Sequence, residues 1–227
     1  RLLYWNFEYY DTEGKLFRTD EVIDLFSNNI EPDDTTFISA DIARLWNDAT
    51  VISLWKGLEC IKIIREHWKT TDEIAKLIKD LEYEYKVHRE HIVIDTDWLW
   101  AVVADQLRLG YNVQNWATPI KTENGAKFWN LKAQCYYKLR ELAEKRLVRI
   151  NAEWIIKDLL SQELENILLK EPDGDGKILL ESKEEMKHRI SRSPDIADSI
   201  MMRMYFTLRE EDWPIITYKA IFTEYYD

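Results

Sequence analysis

The chain has 227 residues, 46% of them hydrophobic and 32% charged, a composition that suits one soluble core. No apolar run approaches the roughly 18 residues needed to cross a bilayer, so a membrane protein is excluded. A formal net charge of -11 and a pI near 5.0 argue against generic nucleic-acid binding, because phosphate affinity comes mostly from Lys and Arg displacing counterions. An acidic chain escapes that objection where bound cations bridge its carboxylates to phosphate beside a local basic rim.

No linker rich in Pro, Gly or Ser divides the chain, so we expect one domain over 1–227 with residues 1–34 as a lead-in segment. The opening RLLYWNFEYY lacks the pattern of a secretory signal, and a chain starting at Arg1 is expected to be a fragment. Cys60 and Cys135 sit in apolar contexts, CIKII and AQCYY, without partner cysteines for a zinc cluster. They read as buried free thiols in a reducing compartment.

Residues 35 to 66 hold three β-type runs, TTFISADIA, TVISLWKG and ECIKIIRE, broken at Asn47 and Asp48 and again at Lys56 and Gly57. This predicts an antiparallel meander with Asp41 ending the first strand. Thr70 and Glu73 form a capping box before Ile74, Leu77, Ile78, Leu81 and Tyr85 at helical spacing, and HIVID follows as a fourth strand. The helix between strands predicts parallel pairing. A short strand is expected around Asn112 to Asn115, then a long helix marked by Phe128, Leu131, Cys135, Leu139 and Leu142, and an amphipathic helix over Trp154 to Leu169. After the EPDGDGK turn come the short run ILLES and a brief helix ending near Ile190, capped by Ser182 and Glu185. Ser193 as cap and Pro194 at the first helical position start the last helix, placing Asp195 in its first turn and Asp198 on the same face. Three β-runs, alternating helix and strand, and a terminal helix carrying acids give the order of a ribonuclease-H-like α/β fold: a mixed sheet, three antiparallel strands then parallel strands, flanked by helices.

Asp41, Asp95 and Asp195 thus lie at the ends of apolar elements, where carboxylates from several elements can converge. One such acid is an ordinary cap or loop residue. Three in this order match the minimum set for two hard divalent cations about 3.5 to 4 Å apart, one activating a water and one steadying a leaving oxygen. Asp97 and Asp198 are the alternates. Arg44, Lys121, Lys127, Lys132 and Arg192, each in a loop or helix start near these acids, are the candidates for phosphate steering. The segment from Asp173 to Glu184 fails as a calcium loop, since Lys177 takes a ligand position and Ile178 the required glycine. His88 and His91 have no neighbouring Cys or His and read as surface residues, and no GxxxxGK[ST] phosphate loop occurs.

The blocks RLLYWNFEYY, SADIARLWNDATVI, VIDTDWLWAVVADQL, NLKAQCYYKL and RSPDIADSIMMRMYF, in that order over nearly all of the chain, resemble the C-terminal nuclease domain of the large terminase subunit of tailed bacteriophages. The resemblance implies a ribonuclease-H-like, resolvase-related nuclease that cuts double-stranded concatemeric DNA with two Mg or Mn ions during genome packaging in the host bacterial cytoplasm. It places the motif acids on Asp41, Asp95 and Asp195, with Asp198 as a fourth. Asp41 is expected to bind both ions, and Asp95 and Asp195 one each. It also implies partnership with an ATPase domain, which these residues are not expected to include, a small terminase subunit and a portal ring. Two alternatives remain: a catalytically weak packaging-motor module whose acidic surface docks protein partners, and a resolvase-like nuclease on branched DNA.

Where that family usually has glycine, this chain has Trp5, Trp46, Trp98, Trp100 and Trp116. Tryptophan supplies neither positive φ nor close backbone approach and adds a bulky ring near the expected site. Replacing Trp98 and Trp100 together by glycine is expected to raise DNA cleavage in a plasmid-nicking assay without altering the metal requirement; unchanged rates would count against steric blocking.

Overall fold

A computed structural model of the chain describes residues 14–43, 49–67, 69–95, 111–113, 117–121, 127–170 and 176–212. The expected meander forms: β1 (Thr36–Asp41), β2 (Thr50–Lys56) and β3 (Glu59–Glu66) pair antiparallel, with Asp41 opposite Val51. Gly57, at φ +54, makes the β2–β3 turn and donates its N–H to the Thr35 carbonyl at 2.8 Å. After α2 (Thr71–Glu84), β4 (Ile92–Asp95) returns parallel to β1 with Ala40 beside Ile94, so Asp41 and Asp95 end adjacent strands side by side. β5 (Tyr111–Val113) adds parallel to β4, and β6 (Arg149–Ile150) adds parallel to β3, giving the order β5-β4-β1-β2-β3-β6.

The strands read as near-continuous apolar runs because both faces of the sheet are covered. Ile38, Ala40, Ile52, Leu54, Ile92 and Ile94 pack on one face against Ile74, Ala75, Ile78 and Leu81 of α2. Phe37, Val51, Trp55 and Val93 point to the other face, into a core shared with α1 (Thr19–Asp24), α3 (Leu131–Glu144), α4 (Trp154–Leu164), α6 (Asp195–Met202) and α7 (Met204–Asp212). Side chains alternate along a strand. Asp41 therefore shares the face of Phe37 and Ser39, and Asp95 that of Val93, which puts both acids on the α6 side.

A buried set of hydrogen bonds fixes α6 across β1 and β2. Ser39 Oγ donates to the Ser199 carbonyl at 2.7 Å, Ser199 Oγ donates to the Ser39 carbonyl at 3.1 Å, and the Ser53 and Ser199 hydroxyls lie 2.8 Å apart. Trp55, fully buried, donates its Nε1–H to Ser39 Oγ at 3.0 Å. Both capping boxes form, at Thr70 with Glu73 for α2 and at Ser182 with Glu185 for α5 (Lys183–Ile190).

Several expectations need correction. The helix from Trp154 ends at Leu164 rather than Leu169, because the chain beyond it is drawn into bridges from Lys15 to Leu168 and from Leu169 to Leu180. The short run ILLES, for which the sequence predicts no element, contributes isolated bridges from Ile178 to Phe128 and from Leu180 to Leu169. The strand expected at Asn112 to Asn115 runs Tyr111–Val113, and 114–116 fall outside the described residues. The last helix begins at Asp195 with Pro194 as its N-cap, one residue later than Ser193 and Pro194 suggest. It is also two helices, broken at Arg203, which lies 3.7 Å from the Phe37 ring centroid and donates Nε–H to the Gly57 carbonyl at 3.1 Å. No helix among the described residues is long and apolar enough to cross a membrane.

Leu139 of α3 is fully buried, whereas Leu147 is 46% exposed. In urea denaturation Leu139→Ala should cost about 3 kcal/mol and Leu147→Ala less than about 1 kcal/mol; equal losses would contradict this core.

Candidate functional site

Sheet parity and the serine seat of α6 bring three of the sequence-derived acids to one point. The Nζ of Lys183, the first residue of α5, lies 3.3 Å from Asp41 Oδ2, 3.2 Å from Asp195 Oδ1 and 3.4 Å from Asp198 Oδ2. Asp41, Asp195 and Asp198 are 5%, 5% and 0% exposed. Asp95 stands beside them at the end of β4, near enough that its charge opposes ionisation of Asp41.

Each carboxylate has its own supports. Asp198 accepts from Lys132 Nζ, 2.8 Å from its Oδ1, and from the Tyr136 hydroxyl at 2.7 Å. Lys132 and Tyr136 are four apart on α3 and so share a helix face. Asp195 accepts the backbone N–H of Ala49 at 3.0 Å. Glu163 of α4, 2% exposed, accepts the N–H of Ala197 at 2.8 Å and stands 3.4 Å from Arg192 Nε.

The electrostatics follow from burial and charge count. Desolvation raises the Asp41 carboxyl well above the usual carboxylate range; Lys183 pulls it down, and Asp198, Asp195 and Asp95 push it up again. Asp195 is raised for the same first reason, with Lys183 and the Ala49 N–H opposing. Burial alone would raise Asp198 too, but Lys132, Lys183 and the Tyr136 hydroxyl outweigh it and hold this acid ionised below its ordinary value. Desolvation also pushes Tyr136 well up and carries Glu163 to about 8. For Lys183 desolvation works against the charge, yet Asp41, Asp198 and Asp195 together raise it, so its ammonium persists.

Among the described residues no group of three or more His, Cys, Asp or Glu is arranged, as placed, to hold a metal ion. The donor chemistry nonetheless fits a hard divalent cation, since every convergent ligand is a carboxylate oxygen, and the cluster already holds a cation in the Lys183 ammonium. Beside it, a small cavity of about 20 Å³ is lined by Lys132, Tyr136, Ser182, Lys183, Met186 and Pro194.

The remaining sequence candidates fall as follows. Lys132 reaches the acids directly, as the partner of Asp198. The Arg192 guanidinium is engaged on α4, donating to the Leu159 carbonyl at 3.0 Å and to Gln162 Oε1 at 3.1 Å. Lys121 and Lys127 are exposed on the segments before α3. His91 is not a bare surface residue: its ring stacks on Phe37 at 4.5 Å, and Nδ1 lies 3.1 Å from the Thr36 carbonyl. Cys60 and Cys135 are buried free thiols. Asp97, Arg44, Trp5, Trp46, Trp98, Trp100 and Trp116 lie outside the described residues.

Sequence reasoning passed over Lys183, Tyr136 and Glu163. Nothing local singles out Lys183, which looks like any basic residue in a capping box. The spacing of Lys132 and Tyr136 was the one available signal, and a shared helix face does not say what it meets.

No family model and no curated protein matches this chain. Solved structures do. The nuclease domain of the large terminase subunit of bacterial virus Sf6 matches with a TM-score of 0.73 at 18% identity, covering 84% of this chain and 98% of that one. A mutant of the same domain with manganese and beta-thujaplicinol matches with a TM-score of 0.74 at the same identity and coverage. The large terminase nuclease of thermophilic phage G20c with bound magnesium matches with a TM-score of 0.56 at 18% identity, covering 86% of this chain and 98% of that one. This chain has the ribonuclease-H-like fold of phage large terminase nuclease domains.

Proposed function

We propose that this chain is a single metal-dependent endonuclease domain that cuts double-stranded DNA during phage genome packaging. One observation carries the reading: Asp41, Asp195 and Asp198, from a strand end and a helix start, converge within 3.4 Å of one cationic centre. Its support is the fold shared with terminase nuclease domains, among them structures holding manganese or magnesium.

Asp41, Asp95 and Asp195 would hold two Mg or Mn ions, with Asp198 as a fourth carboxylate and Asp97 as an alternate. Bound there, the ions would activate a water and neutralise charge on the leaving oxygen. The chain's own residues prepare the site. Burial on the α6 side of the sheet strips the acids of water, so they bind a compact cation more strongly than surface acids do. Lys132 and Tyr136 orient Asp198, and the Ala49 N–H fixes one oxygen of Asp195. Lys183 balances charge in the metal-free protein and shares carboxylate oxygens that a metal would use. Lys121 and Lys127, both exposed, are proposed to meet the DNA backbone, with Arg44 as a further candidate from its place in the sequence and Lys132 closer to the acids, whereas Arg192, engaged on α4, is not assigned a DNA contact. By the same reading the domain works in the host cytoplasm with a packaging ATPase, a small subunit and a portal.

Supercoiled plasmid should be nicked by the purified chain in Mn or Mg and not in chelator. Asp41→Ala, Asp95→Ala and Asp195→Ala should each lose more than about 100-fold of that activity, beyond the usual effect of residues that only support a metal ligand. A folded chain that cuts nothing with either ion would favour the protein-docking alternative, and preference for branched DNA the resolvase-like one.

Lys183→Met removes the ammonium while keeping the stem. In chelator it should lower unfolding stability by about 1 to 2 kcal/mol, since Lys183 is 35% exposed on its side chain and the pairing is partly screened. Millimolar Mn should restore that stability in thermal melts. A variant as stable as the parent in chelator would show that the ammonium does not hold the acids together.

A further inference from the structure

Helix α6 carries two of the clustered acids in its first turn, yet its N-cap is Pro194, whose side chain has no oxygen to offer a backbone N–H. The N–H of Asp198 reaches the Pro194 carbonyl at 2.8 Å. The N–H of Ala197, between the two acids in sequence, is satisfied from another helix by Glu163 Oε2 at 2.8 Å. Glu163 is 2% exposed. A carboxyl buried this deeply at a helix start requires compensation, and here it gains a backbone donor, the positive end of the α6 dipole and Arg192.

Arg192 completes the clamp. Its Nε lies 3.4 Å from Glu163 Oε1, and its two terminal nitrogens donate to Gln162 Oε1 and the Leu159 carbonyl. Three bonds thus bind the residue two before Pro194 to α4, and a fourth binds the first turn of α6 to the same helix. Any loosening moves Ala197, and with it the backbone on both sides from which Asp195 and Asp198 project.

We propose that Glu163, held by Arg192, is a positioning residue for the acid cluster, capping α6 from the neighbouring helix and so fixing Asp195 and Asp198 against Asp41. This rests on the metal-dependent reading above. Groups behind the ligands typically govern metal affinity 10- to 100-fold by fixing ligand orientation.

The test measures Mn affinity of the full chain by titration calorimetry, together with the Mn concentration giving half-maximal nicking. Glu163→Leu should weaken Mn binding about 10- to 100-fold and raise the half-maximal Mn concentration in step, with most of the rate recovered at saturating Mn. Glu163→Gln keeps an oxygen acceptor for the Ala197 N–H and should stay within about 3-fold of the parent, while Arg192→Ala should lose about 3- to 10-fold. Ile78→Ala, a core truncation in α2 on the opposite face of the sheet, controls for lost stability and should leave Mn affinity unchanged. The proposal is overturned if Glu163→Leu binds Mn as tightly as the parent, or if Ile78→Ala weakens binding equally. If Glu163→Leu does not fold, Arg192→Ala decides, and parental affinity there overturns the proposal. A parent chain that binds no Mn defeats the nuclease reading itself and the positioning role with it, whereas tight parental binding indifferent to Glu163 defeats the positioning role alone.

Discussion

The site depends on gathering like charges in a place with little water. Two unit charges about 5 Å apart repel by about 3 kcal/mol at an effective dielectric near 20, and a whole domain is stable by only about 5 to 15 kcal/mol. Asp41, Asp195 and Asp198, with Asp95 beside them, could not all ionise at this depth without compensation. Lys183 supplies one positive charge at their centre and Lys132 a second at Asp198. The acids respond unequally. Asp198, with two lysines and a hydroxyl, stays below its ordinary value, while Asp41, with only a share of Lys183, is pushed up. The cluster is built to hold positive charge, which Lys183 and Lys132 supply.

That charge balance requires α6 to lie where it does. The seat is polar: the hydroxyls of Ser39, Ser53 and Ser199 with the indole of Trp55 form a closed set of partners between β1, β2 and α6. A hydrogen bond adds only about 1 kcal/mol net, but leaving a buried partner unsatisfied costs about 1 to 3 kcal/mol. A slipped helix would break several such bonds at once. An apolar contact tolerates sliding, whereas this seat selects one register, and the register sets where Asp195 and Asp198 fall. The clamp from α4 through Glu163 and Arg192 acts on the same helix from the opposite side.

The net charge of -11 and a reading that involves DNA are compatible because the two operate on different scales. Repulsion from a diffuse acidic surface is screened within about 8 to 10 Å at physiological salt. The buried acids act at hydrogen-bond distance, on the Lys183 ammonium at their centre and, in the proposed function, on metal ions. Within the cluster Lys183 and Lys132 offset part of the charge of the acids, so the local field is set by these few buried groups and not by the surface average.

What the sequence determined by itself was everything governed by local period and punctuation. The three-strand meander, the capping boxes at Thr70 and Ser182, and the strand ends at Asp41 and Asp95 all follow from alternation, helical spacing and turn residues within about a dozen positions. Asp195 and Asp198 were legible as acids on one helix face for the same reason. The tertiary structure alone decided the rest. Lys183 stands 142 residues from Asp41 and Glu163 34 residues from Ala197, and no local pattern distinguishes either from a solvated side chain. The helix that stops at Leu164 and the one that breaks at Arg203 do so because distant segments claim the chain there: bridges to Lys15 and Leu180 in the first case, Phe37 and the Gly57 carbonyl in the second. Sequence fixes which groups are available to a site. Only the packing of α6 between the sheet and α4 brings them within reach of one another, because the interactions that do so are non-local.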